Sequence, residues 1–498
     1  MRAPGVGLAL VDLATRETHR GYPLDGGQQA SLALAVEIAR DAYGLASSEV
    51  GDAADVVREL RSDWLEFGGS ISPLPFGIFP DTVSTISEIG DINIGEPHSH
   101  NTANPIDWNR IQASLVELGL IVESRHHQSA LLSQGSLCSV FEIRDQLGKV
   151  LSEGKGVCES DAIKGALGEA VERLAAQLPR PDRLFVATAR ELTEAGFALP
   201  KFSPGHRDLY SEDLSLEWVI ADTFSETVGA LPAELVYYPF QPSSGIKAFS
   251  VQSTVGLAAG ASVASASVAG LREAIETDAY WLSMRTRRVC ATFRDLFDCS
   301  APRVRQLVRA LDGLGVATHA GLISFDWPVP IVHVVLETKS ESLPALSHGL
   351  AMGVDPLMAL ERALLEAIQV YSGLEKVALE YWPEISVGLA RSADPPIIWS
   401  DPSYAQRVVG MFDEAPPVNL SASETNVTKV SGLLEWMISQ GMTPWRAHLG
   451  ERHELEIVRS FIEGGVSPFS ERGDPSPRVQ ALLAKCGLRY PYLDPVLT

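Results

Sequence analysis

Residues 156–174 read GVCESDAIKGALGEAVERL, and this stretch decides the fold because the chain repeats it. The same frame returns as GASVASASVAGLREAIETD from Gly260 and as GVDPLMALERALLEAIQVY from Gly353. Each copy opens on Gly and then carries Ala162, Ala266 or Ala359. A small residue follows at Ala166, Gly270 and Ala363, then Leu at 167, 271 and 364. Next stands an acid, Glu169, Glu273 or Glu366, and three residues later Glu172, Glu276 or Gln369. So many matches in one register define an internal repeat, and repeated units that share a core must stack within one domain. Small residues spaced by four predict close packing of each helix. The leading Gly suits a turn that brings backbone N–H groups near a ligand or a neighbouring strand.

Around these helices the chain alternates strand and helix patterns, which predicts an α/β or α+β class. WNRIQASLVELGL reads as a helix, and LIVES and SLCSVFEIRD read as strands. Helices are expected at 160–178, 263–285 and 355–372, and a strand at DRLFVATA. Residues 200–245 read as loop-rich, and GLAAG at 256–260 as a turn with Ser253 and Thr254 before it as candidate caps. LISFDWPVPIVHVVLETK reads as one or two strands interrupted by Pro328 and Pro330. Near the end, TKVSGLLEWMISQG predicts a helix and LEIVRSFIE a buried strand. The linker candidate, DINIGEPHSHNTANPI at 91–106, separates an N-terminal region, 1–95, from a domain over 96–498. The first region contains a helical pattern at QASLALAVEIARDAYGL and no nameable motif; it is a candidate for peptide or partner recognition.

Composition narrows the function. The formal net charge is −23, so nucleic acid and anionic membrane surfaces are poor partners. Five cysteines are scattered without a CxxC pair, which argues against a disulfide framework and a structural zinc site and predicts a reducing cytoplasm. No window has the length of a membrane span. His98, His100, His126 and His127 lie in different predicted elements and read as loop histidines.

Two readings of the repeated carboxylates stand side by side. In the first helix Ile163, Ala166, Leu167, Ala170, Val171 and Leu174 make an apolar stripe, with Glu169 and Glu172 opposite it. Periodicity alone gives a solvated face. The repeat gives another answer: Glu169, Glu172, Glu273 and Glu276 converge on a shared cleft. Carboxylates crowded there repel one another unless cations lie between them. Magnesium suits oxygen-only ligands, with a nucleotide phosphate completing its shell. Lys155, in GKG at 154–156, is either a phosphate contact or a surface lysine.

The segments GKGVCESDAIKGALGEAVERL, STVGLAAGASVASASVAGLREAIETDA and GVDPLMALERALLEAIQ together resemble the YcaO family, as do SVFEIRD upstream and EWMISQGM with LEIVRSFIE downstream. The resemblance covers roughly 100–498. It implies a YcaO-like domain that uses ATP to phosphorylate a backbone amide oxygen of a ribosomally made precursor peptide, alone or with a partner biosynthetic protein. A nucleophile then adds, phosphate leaves, and an azoline, thioamide or amidine forms. It further implies that Glu169, Glu172, Glu273 and Glu276 are the Mg2+ and ATP carboxylates, that Arg173 completes the first Glu-Arg motif, and that the protein is a homodimer. It names no catalytic residue for this chain.

The sequence also departs from that family's pattern. Val255 and Ala261 stand where Asn is usual, Ser265 where an acid is usual, and Thr277 where an Arg follows the second Glu. Gly165 replaces a usual Ser, and Tyr371 stands where an Arg is frequent. The tail YPYLDPVLT lacks the Pro-x-Pro-x-Pro spacing of azoline-forming members. These departures admit a second reading, in which the domain is a degenerate, non-catalytic scaffold that binds a precursor peptide or a partner enzyme.

Overall fold

The computed structural model describes residues 106–487 except 126–128, 134–137, 147, 149, 178, 180–183, 202–209, 225–226, 241–252, 339–343, 389–401, 420–426 and 467–475, together with Ile92 and Ile94. The N-terminal region 1–95, apart from those two residues, and His98, His100, His126 and His127 lie outside the described residues.

Helix α1 (Trp108–Glu117) starts where the Asp107 side chain accepts from the Arg110 N–H, a standard N-cap arrangement. A three-stranded antiparallel sheet follows: β1 (Ile121–Ser124), β2 (Ser139–Arg144) and β3 (Val150–Gly156), in that order. The first repeat helix, α2 (Glu159–Gln177), comes directly after β3. The second sheet runs β4 (Leu184–Thr188), β5 (Ser215–Thr223), β13 (Thr443–Arg452), β14 (Leu455–Glu463) and β7 (Leu257–Gly260), with β6 (Thr227–Pro232) also paired to β5. The second repeat helix, α3 (Val263–Thr286), follows β7. The third sheet is β11 (Leu346–Met352), β10 (Ile331–Thr338), β9 (Val316–Leu322), β8 (Ala291–Phe293) and β12 (Pro417–Val418). Helix α4 (Pro302–Gly313) lies before β9, and the third repeat helix, α5 (Pro356–Gly388), follows β11. Later in the chain come α6 (Pro402–Asp413), α7 (Val430–Ser439) and α8 (Pro477–Lys485), and helices of four to six residues occur at Ala130–Ser133, Ala189–Glu194 and Ala233–Val236.

The mixed class and the strand–helix repeat therefore stand as read. Each repeat helix lies on the strand before it and also reaches the next unit's strand: α2 touches β3 and β7, α3 touches β7 and β11, and α5 touches β11 and β3. This closes the three units into a ring. Each helix also supplies the apolar centre of one core. Leu167, Ala170 and Leu174 pack with Ile143 of the first sheet and Ala447 and Ile457 of the second. Leu271, Ile275 and Ala279 pack with Ile331 and Leu346 of the third sheet and Ile462 of the second. Leu364 and Ile368 join Val140 of the first sheet to Val332 and Val334 of the third. Each core thus bridges two sheets, and burial of apolar surface holds the ring closed.

The small residues of the frame serve close approach of helix to strand. A Cβ on Gly154 would lie 2.0 Å from the Ala162 carbonyl oxygen, and one on Gly349 would lie 2.0 Å from that of Ala363. Buried hydroxyls tie the same contacts: Ser152 Oγ donates to the Ala166 carbonyl at 2.8 Å and Ser347 Oγ to that of Ala367 at 2.9 Å.

Three expectations are corrected. The described part of 200–245 contains β5 and β6 where loop was expected; β5 is buried on both faces, so it lacks the alternation that marks a half-exposed strand. Leu257–Gly260 is an edge strand paired with β14 rather than a turn. The helix after it is capped by Ser262, which shares a reciprocal capping box with Ser265, and not by Ser253 or Thr254. Pro328 and Pro330 do separate two strands, β9 and β10. No described helix is long and apolar enough to cross a membrane.

Candidate functional site

The three repeat helices bring their acids to the middle of the ring. The first Glu of each frame binds a backbone N–H of the preceding strand or turn. Glu169 accepts from Glu153 N at 3.0 Å, Glu273 from Gly256 N at 3.1 Å and Glu366 from Leu350 N at 3.4 Å. The repeat is thus preserved in three dimensions as a strand-to-carboxylate clamp. Glu276, the second acid of α3, accepts from Met352 N on the neighbouring β11 at 2.6 Å.

Across the seams between helices the acids face one another. At the α2–α3 seam Glu172 and Glu273 repel, and Arg459 of β14 attracts both. At the α3–α5 seam Glu276 and Glu366 repel, with Lys155 of β3 as the near cation. Lys155 Nζ lies 2.7 Å from Glu366. At the α5–α2 seam the frame places Gln369, whose amide donates to Glu153 at 3.4 Å. Glu153 also pairs with Arg125, a fully buried side chain that binds Glu142 at 2.9 Å and the Ser372 hydroxyl at 3.3 Å.

The electrostatics follow from this crowding. Burial pushes the Glu172 carboxyl well above the usual range, and Glu273 and Glu169 add to the effect against Arg173 and Arg459. Burial raises Glu273 to about 8, opposed by Arg459 and the Gly256 N–H. Burial raises Glu276 to about 7, opposed by Arg272. Glu169 is raised by burial too, although Arg173 stands 2.5 Å away. Desolvation lowers Arg173, yet Glu169 and Glu172 more than offset it. The guanidinium of Arg459 is lowered to about 10 by burial.

All six residues singled out from sequence, Lys155, Glu169, Glu172, Arg173, Glu273 and Glu276, therefore surround one centre. None of the four acids lies on a solvent-washed face; each is only partly exposed. Sequence reading left four neighbours out of the site. Glu366 and Gln369 had a signal, their place in the third frame. Arg459 and Glu153 had none, since only tertiary pairing brings β14 and β3 to the helices.

The donor set fits magnesium. It is made of oxygens, and burial and mutual repulsion hold these carboxyls at raised pKa, a strain that a divalent cation relieves. Among the described residues no three His, Cys, Asp or Glu side chains form a protein-only cage. Magnesium characteristically uses one or two carboxylates and completes its shell with phosphate and water.

Comparison with known proteins agrees with this architecture. The chain belongs to the YcaO family: the model for YcaO cyclodehydratase, ATP- and Mg2+-binding, matches residues 153–464. An uncharacterized protein of Methanothermobacter thermautotrophicus is 32% identical over 222 residues, 43% of this chain and 56% of that protein. The chain thus spans about half the length of this curated relative. Among solved structures the fold is similar to YcaO from Methanopyrus kandleri bound with AMPPCP and Mg2+, with a TM-score of 0.56 and 20% identity over 74% of this chain and 93% of that one. A heterocyclase in complex with substrate and cofactor matches with a TM-score of 0.64 at 16% identity, over 100% of this chain and 72% of that one. The E. coli microcin synthetase McbBCD complex matches with a TM-score of 0.52 at 16% identity, over 67% of this chain and 85% of that one.

Proposed function

We propose that this YcaO protein binds ATP and Mg2+ at the centre of the ring and activates backbone amides of a precursor peptide, giving an azoline, thioamide or amidine. One observation carries the reading: Glu172 and Glu273, and Glu276 and Glu366, repel across two helix seams, with Arg459 acting on the first pair and Lys155 bound to Glu366 of the second. Glu172, Glu273 and Glu276 would supply magnesium with one or two carboxylates at a time, with Glu169 positioning Arg173. Arg173, Arg459 and Lys155 would supply the cations for the phosphates. When bound, the metal neutralises charge on the phosphoryl oxygens. The chain's own task is to orient the polyphosphate and exclude water, since positioning and electrostatic stabilisation carry most of phosphoryl transfer. The peptide arrives alone or with a partner biosynthetic protein, as the complexes of structural neighbours suggest by analogy.

A specific observation favours the scaffold alternative. Ser265, at the family's usual acidic position, spends its hydroxyl on Ser262 and the α3 N-terminus and contributes no charge. Tyr371, where an Arg is frequent, is buried with its hydroxyl 3.0 Å from Thr338. Calorimetric titration with AMPPCP and magnesium separates the readings. The expected result is binding that Glu172→Gln weakens at least about tenfold, the scale of one lost charged contact. No heat of binding from either protein would leave the scaffold reading.

A further inference from the structure

Arg272 has no counterpart in the other two repeats. At its place in the frame α2 has Gly168 and α5 has Leu365. One residue after the second acid, α2 has Arg173, whereas α3 has Thr277. Helix α3 has therefore lost a cation at one frame position and gained one at another, a turn before Glu276.

The surroundings of Arg272 do not account for it. The residue is 8% exposed. Its Nε and Nη2 are both buried and have no hydrogen-bond partner. Glu276 is the acid that acts on it, yet Glu276 directs a carboxylate oxygen at the Met352 N–H instead. Buried charged donors without acceptors are costly, and native proteins rarely keep them without a use. Nε and Nη2 form one edge of the planar guanidinium. That edge offers two parallel N–H groups, matched to two oxygens of a carboxylate or phosphate. One oxygen of Glu276 is held by the Met352 N–H, and the Nε–Nη2 edge of Arg272 has no acceptor from the protein, so an incoming anion can fill it.

We propose that Arg272 is the phosphate-binding cation of the α3 side of the cleft, in place of the arginine that the frame lacks at Thr277, and that its Nε–Nη2 edge takes two oxygens of a magnesium-bound polyphosphate. This rests on the nucleotide reading above. It assigns to a buried, orphaned side chain the role proposed above for Arg173 on α2. It also explains how a YcaO chain without the second Glu-Arg motif retains cations on both sides of its acids.

The test uses the full chain, AMPPCP with magnesium as the probe, and titration calorimetry beside thermal melting. The variants are Arg272→Met, Arg272→Lys and the double variant Arg272→Met with Thr277→Arg. Arg272→Met is expected to weaken binding at least about tenfold. It should leave the ligand-free melting temperature equal or higher, because replacing an unpaired buried charge by an apolar chain of similar volume removes a cost. Arg272→Lys keeps the charge without the fork and should fall between. The double variant should recover affinity, which no purely structural role predicts. Wild-type affinity in Arg272→Met would overturn the proposal alone. So would a lowered ligand-free melting temperature with no recovery in the double variant, which would make Arg272 a packing partner of Glu276. Absence of binding by the wild type would instead remove the nucleotide reading, and this proposal with it.

Discussion

At the residue scale, the site's acids have a measurable signature before any ligand is added. Glu273 is raised to about 8 and Glu276 to about 7 by burial, against roughly 4.3 in an unfolded chain. Between those values the folded protein holds protons that the unfolded chain has lost, so stability falls as pH rises from about 4.5 to about 8. The ligand-free protein should therefore melt at a lower temperature at pH 8 than at pH 5.5. Glu273→Gln cannot ionise and still offers an oxygen to the Gly256 N–H. It should flatten this slope and melt about 2 °C higher than wild type at pH 8. Magnesium should restore the wild type at pH 8 and leave the variant largely unmoved. A variant whose pH profile matches wild type would show that Glu273 is an ordinary solvated acid. The convergence of the acids was legible where the frame repeats them: Glu169, Glu172, Glu273 and Glu276 act on one another across the helices. Periodicity by itself placed them on a wet face, because it cannot see that the face opposite one core is covered by the next unit of a ring.

At the element scale, the frame's small residues were readable as close packing, but the partner was not. The contact is helix on strand, set by glycines that lie before the aligned segments. Gly349→Ala puts a Cβ 2.0 Å from the Ala363 carbonyl and 2.5 Å from the Ala367 nitrogen, both backbone atoms that cannot step aside. Its expected cost is about 3 kcal/mol, the upper range for overpacking. Because Glu366 binds the next residue's N–H, the same change should also disturb the α3–α5 seam. Gly313→Ala is the control: nothing lies within 4 Å of its added Cβ, and it sits at the end of α4. It should be neutral or stabilise by up to ~1 kcal/mol. Urea midpoints of the two variants check both statements, and equal midpoints would refute the close-approach account. The strands β5 and β6 escaped the sequence reading for a related reason. A strand covered on both faces shows no alternation, and only its ladder partners identify it.

At the scale of the whole molecule, the order of the sheets was not legible, since it depends on pairings such as β5 with β13 across more than two hundred residues. What the sequence did carry was the number of units, from which a ring with shared cores follows once each helix must cover two strands. Helix α8 closes onto that ring through charge rather than through the repeat. Arg478 of α8 is buried between Asp278 of α3 at 2.9 Å and Asp326 at 2.8 Å, and its guanidinium lies 4.9 Å from the Trp327 ring. Asp278 also accepts from the Val466 N–H and the Trp327 indole. Asp278 is two residues beyond Glu276, so this cluster anchors the same helix that supplies half of the acids. Arg478→Ala removes the guanidinium held between the buried Asp278 and the partly buried Asp326, and should cost about 3–5 kcal/mol because the acids remain without it. Arg478→Ala combined with Asp278→Asn removes one of the stranded charges and should recover part of that loss. Denaturant titration of the three proteins measures both terms. A loss below about 1 kcal/mol in the single variant would mean that apolar contacts with Leu282 and Val466 suffice to hold α8, and that the carboxylate ring needs no support from its charge cluster.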